Sequence, residues 1–243
     1  MIKLKSIMII INKDAGMTMN TLIDKYKKIY NKVCYSGRLD PMARGIVMLL
    51  VDDECKMMEM YNKKNKTYTF EIIFGLSTDT DDVMGLFKTN YIQPIYITTM
   101  VKSIKQYIDI HVGTDIIQEF HDFSSIKYKS KSLWYYALNK IPIDKPKHLV
   151  TLYNAHYSDI KKYNYNEWKD DICMKINNID RKNSFRQDEI IKQYNDLNLE
   201  SLYSLPITIT VSSGFYVRQF VADIMKYIHF PILTHDINRI SIN

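Results

Sequence analysis

Seven glycines in 243 residues constrain this chain more than any other feature. A chain of ordinary composition and this length carries about seventeen. Where composition disfavours glycine, each survivor marks a positive φ or a backbone approach too close for a Cβ. The seven are Gly16, Gly37, Gly45, Gly75, Gly85, Gly113 and Gly214. Most of them bracket short segments rich in polar residues, at 36–45 (SGRLDPMARG), 75–85 (GLSTDTDDVMG) and 212–220 (SSGFYVRQF).

Between these points the hydrophobic periods alternate between two and about 3.6. Residues 4–11 read as a strand, followed by a turn at Asp14-Ala15-Gly16. Thr18 or Asn20 can cap a helix with Leu22, Ile23, Tyr26, Tyr30 and Val33 on its apolar face. Residues 46–51 form an apolar run of strand length. Tyr68, Phe70, Ile72 and Phe74 alternate on one strand face, as do Ile207, Ile209 and Val211. Ile97, Met100, Val101, Ile104 and Ile108 make a helical stripe, and Val217, Val221, Ile224 and Ile228 make another after Gly214. The order lacks a regular βαβ rhythm, so the fold class is α+β. A stretch at about 159–200 is polar and rich in Asn, Asp and Lys. It reads as an insertion into a single domain, with one helix at 187–197.

Composition sets outer limits. The chain is 46% apolar and 25% charged, as in globular proteins. No apolar run approaches a membrane span, which excludes a membrane partner on this reading. Cys34, Cys55 and Cys173 are odd in number and widely spaced, which favours free thiols in the cytoplasm over a disulfide framework. The net charge of +6 permits a nucleic-acid partner without demanding one.

Four constellations carry polar chemistry. Asp40-Pro41 alone reads as a helix start, with aspartate as N-cap and proline at the first position. Alternatively, Gly37 and Gly45 bracket a tight loop that presents one carboxylate. Asp79, Asp81 and Asp82 can be read as ligands of a hard cation, although their spacing does not fit a calcium loop. A loop of Asx and Thr turns satisfies the same residues. Arg218 falls in the first turn of a helix, where the dipole disfavours a cation, and so calls for a carboxylate or phosphate partner. Lys127, Lys129 and Lys131, interleaved with Tyr128, Trp134, Tyr135 and Tyr136, suit either a solvated face or a surface that tracks nucleic-acid backbone. The six histidines show no ligand spacing, and no phosphate-binding glycine loop is present.

Taken together and in order, INKDAGMT, SGRLDPMARGIV, KTYTFEIIFGLSTDTDDVMG, SSIKYKSKSLWYYA and VSSGFYVRQFVADI resemble the motifs of TruB-type pseudouridine synthases. The resemblance runs from about residue 12 to 239 and implies that family's fold, a mostly antiparallel central sheet flanked by helices. It implies an isomerase that converts uridine to pseudouridine in the T-arm of tRNA (position 55), working as a monomer without cofactor or metal. By position, Asp40 matches the catalytic aspartate. Tyr68 matches the tyrosine that stacks on the flipped uracil, and Arg218 the arginine that pairs with the carboxylate. Tyr216, Ile237 and Arg239 fall on positions at the uridine pocket, and Lys13 on the lysine that supports the active-site loop. Residues from about 118 to 150, including Lys127, match a thumb that closes on RNA. These roles agree with elementary chemistry. A carboxylate buried alone tends to protonate, and a guanidinium within about 4–6 Å keeps it charged. A stacked base must be flipped out before it can be modified.

The departures are specific. Asp14 replaces the family proline, and Met19 a serine. Tyr35 stands where relatives carry a histidine that contacts RNA. Phe120 and His121 replace two thumb prolines, and Ser130 a glycine. No C-terminal PUA domain follows Arg239 in this chain. Two rival expectations remain: a silent RNA-binding chaperone of the same fold, and a metal-dependent nuclease built on Asp79–Asp82.

Overall fold

A computed structural model describes residues 7–183 and 185–243. The start of the expected first strand, at 4–6, lies outside them. The chain opens with β1 (Ile7–Lys13), α1 (Met19–Tyr26), β2 (Val33–Ser36) and β3 (Arg44–Val51). Thr18 caps α1, its hydroxyl accepting the Thr21 N–H at 3.0 Å. The helix ends at Tyr26, short of the stripe read from sequence, and Val33 instead begins β2. A 3₁₀ turn (Asp52–Met57) and α2 (Met58–Asn62) lead into β4 (Lys66–Phe74). Then follow α3 (Ile97–Asp109), β5 (Thr114–Glu119), a small hairpin of β6 (Lys127–Tyr128) and β7 (Lys131–Ser132), α4 (Leu133–Leu138) and β8 (Lys147–Tyr157). The last third comprises β9 (Lys161–Asn164), α5 (Tyr165–Asn177), α6 (Gln187–Asp196), β10 (Ser201–Val211), α7 (Val217–Ile228) and β11 (Ile232–Ile242).

Nine strands form one sheet in the order β1-β3-β11-β4-β10-β8-β5, with β2 on β3 and β9 on β10. All pairings are antiparallel except β11 on β3. The expected mixed, mostly antiparallel sheet is therefore present. One edge of β3 is taken by β1; on the other, β11 pairs with Arg44–Gly45 and β2 with Met48–Val51. The 37–43 loop springs from the point where β2 and β11 part. A Cβ at Gly45 would run into the Arg239 backbone, so glycine permits this close crossing.

β4 is buried on both faces because helices cover both. Tyr68, Phe70, Ile72 and Phe74 meet the larger core with α1, α3 and α7. Ile73 meets a second core with Tyr165, Trp168, Ile172, Ile176, Ile190 and Tyr194. The expected single helix in the insertion is corrected by that core: there are two, α5 and α6. Asn164 caps α5 through the Asn166 and Glu167 N–H groups, and the apolar residues of α5 recur every three or four positions. Among the described residues no helix is long and apolar enough to cross a membrane.

Candidate active site

The Asp40 loop is held from below by two buried cations. Lys13, fully buried at the end of β1, donates to the carbonyls of Asp14 (3.0 Å), Asp40 (3.1 Å), Pro41 (3.1 Å) and Ala43 (2.6 Å). Burial pulls its pKa down to about 8, against the pull of the Asp40 and Asp14 charges. Arg239 donates from Nε to Ile46 O at 2.7 Å and from Nη2 to Gly37 O at 3.0 Å. Gly37, at φ +70°, gives its N–H to Asn62 Oδ1 at 3.0 Å. These contacts overturn the helix-start reading of Asp40-Pro41. The segment is a turn closed by Ala43 N–H to Asp40 O (3.1 Å), with the Lys13 ammonium on the Asp40, Pro41 and Ala43 carbonyls that a helix would use.

Arg218, in the first turn of α7, is 5% exposed and reaches across to that loop. Its Nε donates to Asp40 Oδ2 at 2.8 Å and lies 3.5 Å from Asp82 Oδ2. Nη1 donates to Thr80 O (3.1 Å) and His121 Nδ1 (3.2 Å), and Nη2 to Phe123 O (3.2 Å). Burial disfavours the guanidinium charge, but Asp40 and Asp82 outweigh it and hold the pKa above the ordinary arginine value. Burial pushes the Asp82 carboxyl upward, with Arg218 pulling the other way. Asp82 Oδ1 accepts from Thr80 Oγ1 (2.7 Å) and Met84 N–H (2.9 Å).

The acidic cluster does not converge on a cation. Asp79 takes Arg186 at 2.6 Å, Asp81 takes His121 and Lys88, and Asp82 faces Arg218. Among the described residues no group of three or more His, Cys, Asp or Glu could hold a metal ion. The nuclease reading falls with that placement. The insertion braces this loop: besides Arg186, Gln193 Oε1 accepts the Phe87 N–H and Tyr194 Oη donates to Val83 O.

His121 is neutral by geometry. Nδ1 accepts from both Arg218 and the Phe123 N–H (3.1 Å), so the proton sits on Nε2 and is donated to Asp81 Oδ2 at 3.1 Å. Burial, then the Arg218 charge, holds its pKa below the ordinary 6.5, with Asp81 and Asp82 opposing. The unfolded chain therefore takes up this proton before the folded one does. The stability the neutral ring contributes is complete above pH 6.5 and is lost as pH falls through the lowered value. Thermal midpoints of wild type and His121→Asn, compared from pH 7.5 to 5, are expected to converge as pH drops. Each unit of pKa depression corresponds to about 1.4 kcal/mol. Parallel curves would mean that this ring does not titrate in that window.

A cavity of about 400 Å³ opens over the Asp40–Arg218 pair. Asp40, Tyr68, Tyr216, Arg218, Ile237 and Arg239, all anticipated from sequence, line it. Asp40 has a side chain 34% exposed. Arg218 occupies only its Oδ2, and Oδ1 has no hydrogen-bond partner among the described residues. Burial, then the Asp40 charge, pushes the Tyr216 phenol up to about 12, so it stays protonated. The arrangement offers one oriented, half-free carboxylate in a cavity that two tyrosines also line, suited to nucleophilic or general-base work on a flat heterocycle.

The other anticipated residues lie outside the cavity lining. Lys13 donates to the backbone of the Asp40 loop. Tyr35 lies on β2, half-buried against the core and outside the cavity lining. Lys127 is exposed on the β6–β7 hairpin, also outside the lining. On that hairpin Lys129 Nζ sits 5.4 Å over the Tyr128 ring, and just beyond it Lys131 Nζ sits 5.1 Å over Tyr135. Sequence reasoning missed Asp82 as an Arg218 partner, having grouped it with its acidic neighbours. It also missed His121, which carried no local signal, and Lys66, which lines the cavity two residues before Tyr68.

The comparisons converge on one family. Residues 25–179, more than half of the chain, match the model of the TruB family pseudouridylate synthase (N terminal domain). A tRNA pseudouridine synthase B of Ureaplasma parvum is 26% identical over 223 residues, covering 91% of this chain and 80% of the relative. One from Bacillus velezensis is 26% identical over 225 residues, covering 92% and 60%. In fold, the chain is similar to one in a solved Cbf5–Nop10–Gar1 complex, with a TM-score of 0.54 at 13% identity. That match covers 97% of this chain and 48% of the solved one, so this chain spans about half its length. With the family model matched and the motif carboxylate, tyrosines and arginine gathered around one cavity, the chain belongs to the TruB family of pseudouridylate synthases.

Proposed function

We propose that this protein is a tRNA pseudouridine synthase acting on the T-arm uridine at position 55, with Asp40 as nucleophile or base. The observation that carries the reading is the Asp40 carboxylate, tied by one oxygen to a buried arginine and open by the other to a nucleoside-sized cavity. The uridine is flipped out of its stack and held against the Tyr68 ring. The N1–C1′ bond breaks, the detached uracil turns, and a C5–C1′ bond forms. The proton leaving C5 balances the one gained at N1. Asp40 stabilises the sugar or attacks it, Tyr68 sits beside the ring for proton loss, and Arg218, bonded to Oδ2, keeps the carboxylate aimed. Tyr216 stays a neutral donor throughout. The exposed lysines and tyrosines between β5 and β8 suit the phosphates and bases of a folded RNA arm.

The substrate is tested by incubating an unmodified tRNA transcript with the protein and mapping pseudouridine by carbodiimide adduct and primer extension. A single stop at position 55 is expected. Modification confined to other uridines would remove the T-arm from the reading.

A further inference from the structure

Beneath Gly37 the cavity has a cationic wall that the Asp40–Arg218 chemistry does not use. Lys66 opens β4 and is 4% exposed, yet it lines the cavity. Its Nζ donates to Asn62 O at 2.7 Å, the residue whose side chain also holds the Gly37 N–H. A Cβ at Gly37 would lie 3.1 Å from Arg239 Nη1 and 3.7 Å from Lys66 Cε, so that glycine rests directly on both cations.

Lys66 differs from Lys13 and Arg218 in its partners. Lys13 satisfies itself on four carbonyls, and Arg218 faces two carboxylates. Lys66 has one carbonyl and enters no ion pair among the described residues; the charges acting on it, Arg239 and Lys64, share its own sign. Burial, then those charges, brings its pKa down to about 8. Burying an unpaired ammonium is costly, and a cavity that keeps one is electrostatically incomplete until an anion enters. In RNA the phosphodiester hangs from the same ribose whose C1′ must meet Asp40. Lys66 and Asp40 line the same cavity, and Gly37, which rests on the Lys66 stem, belongs to the same loop as Asp40.

We infer that Lys66, with Arg239 behind it, forms an anion subsite for the phosphodiester adjoining the flipped uridine. The inference rests on the reading of this cavity as a uridine pocket. A charge-assisted contact of this kind contributes about ten- to hundredfold in affinity. Removing it has opposite effects on the two states: Lys66→Met is expected to weaken RNA binding while raising the thermal midpoint of the free protein.

The test uses the full chain and a T-arm stem-loop RNA carrying a single uncharged methylphosphonate, either 5′ or 3′ of the target uridine. Binding is followed by fluorescence anisotropy. Wild type is expected to lose about ten- to hundredfold at one of the two positions. Lys66→Met should lose as much on unmodified RNA and nothing further on that substituted one. Losses that multiply at both positions, or wild-type affinity in Lys66→Met, would overturn the subsite. Should the variant not fold, NMR of isotopically labelled lysine in the wild type serves instead. The Lys66 pKa should rise on binding unmodified RNA, and an unmoved pKa overturns the inference. Tritium release by the wild type on the same RNA reports isomerisation separately. Coupling at one phosphate without release would count against the catalytic reading and for the subsite.

Discussion

Arg218→Ala is expected to abolish isomerisation and to destabilise the fold by about 3–5 kcal/mol. The side chain is buried and joins three segments: the Asp40 loop, the Thr80–Asp82 loop and the stretch carrying His121 and the Phe123 carbonyl. Truncation leaves Asp82 without its cation in a dry site and frees Asp40 to turn away from the cavity. Arg218→Lys separates the two effects. A lysine keeps the charge beside Asp82 but offers a single ammonium where a planar fork now reaches four acceptors. It should fold with a smaller loss and still fall about a hundredfold or more in turnover. Urea unfolding and single-turnover assays read the two quantities. Because the partners of Arg218 are protein groups, RNA affinity should change little below the melting range. Wild-type turnover in either variant would break the proposed pairing.

Lys13→Met should have the second largest effect, about 2–4 kcal/mol in stability. Methionine fills nearly the same space but donates nothing, so four carbonyls that converge on one ammonium lose it together. Two of them belong to Asp40 and Pro41, so the loss falls on the backbone that aims the carboxylate. Turnover should drop tenfold or more with KM nearly unchanged, since Lys13 does not line the cavity. A rise in KM at constant kcat would instead place Lys13 in contact with RNA.

Much of the fold was legible because its signals are local. A continuous apolar run marked β3, alternation marked β4 and β10, spacing marked α3 and α7, and Thr18 marked the start of α1. Glycine scarcity pointed to Gly37 and Gly45, which flank the Asp40 loop and have φ of +70° and +112°. What was not legible depends on contacts distant in sequence. Asp40-Pro41 carries a helix-start signal, and only the distant Lys13 and Arg239 hold the segment as a turn. The α5 stripe of Tyr165, Trp168, Ile172 and Ile176 was present but masked by polar neighbours, so the second core of the fold was read as a polar insertion with the single helix at 187–197. Asp82 shares its composition with Asp79 and Asp81, and only the distant Arg218 distinguishes it. Nothing near His121 in sequence indicates that its ring accepts from the Arg218 guanidinium.

The central claim is that the Asp40 carboxylate isomerises uridine. It is tested most directly by tritium release from tRNA labelled at uridine C5, comparing wild type with Asp40→Asn. The amide keeps the size of the side chain and removes the charge, while Asp82 still faces Arg218. Release by wild type, with none from Asp40→Asn at equal RNA affinity, is the expected result. Equal release from both, or none from a folded wild type that binds the tRNA, would contradict it.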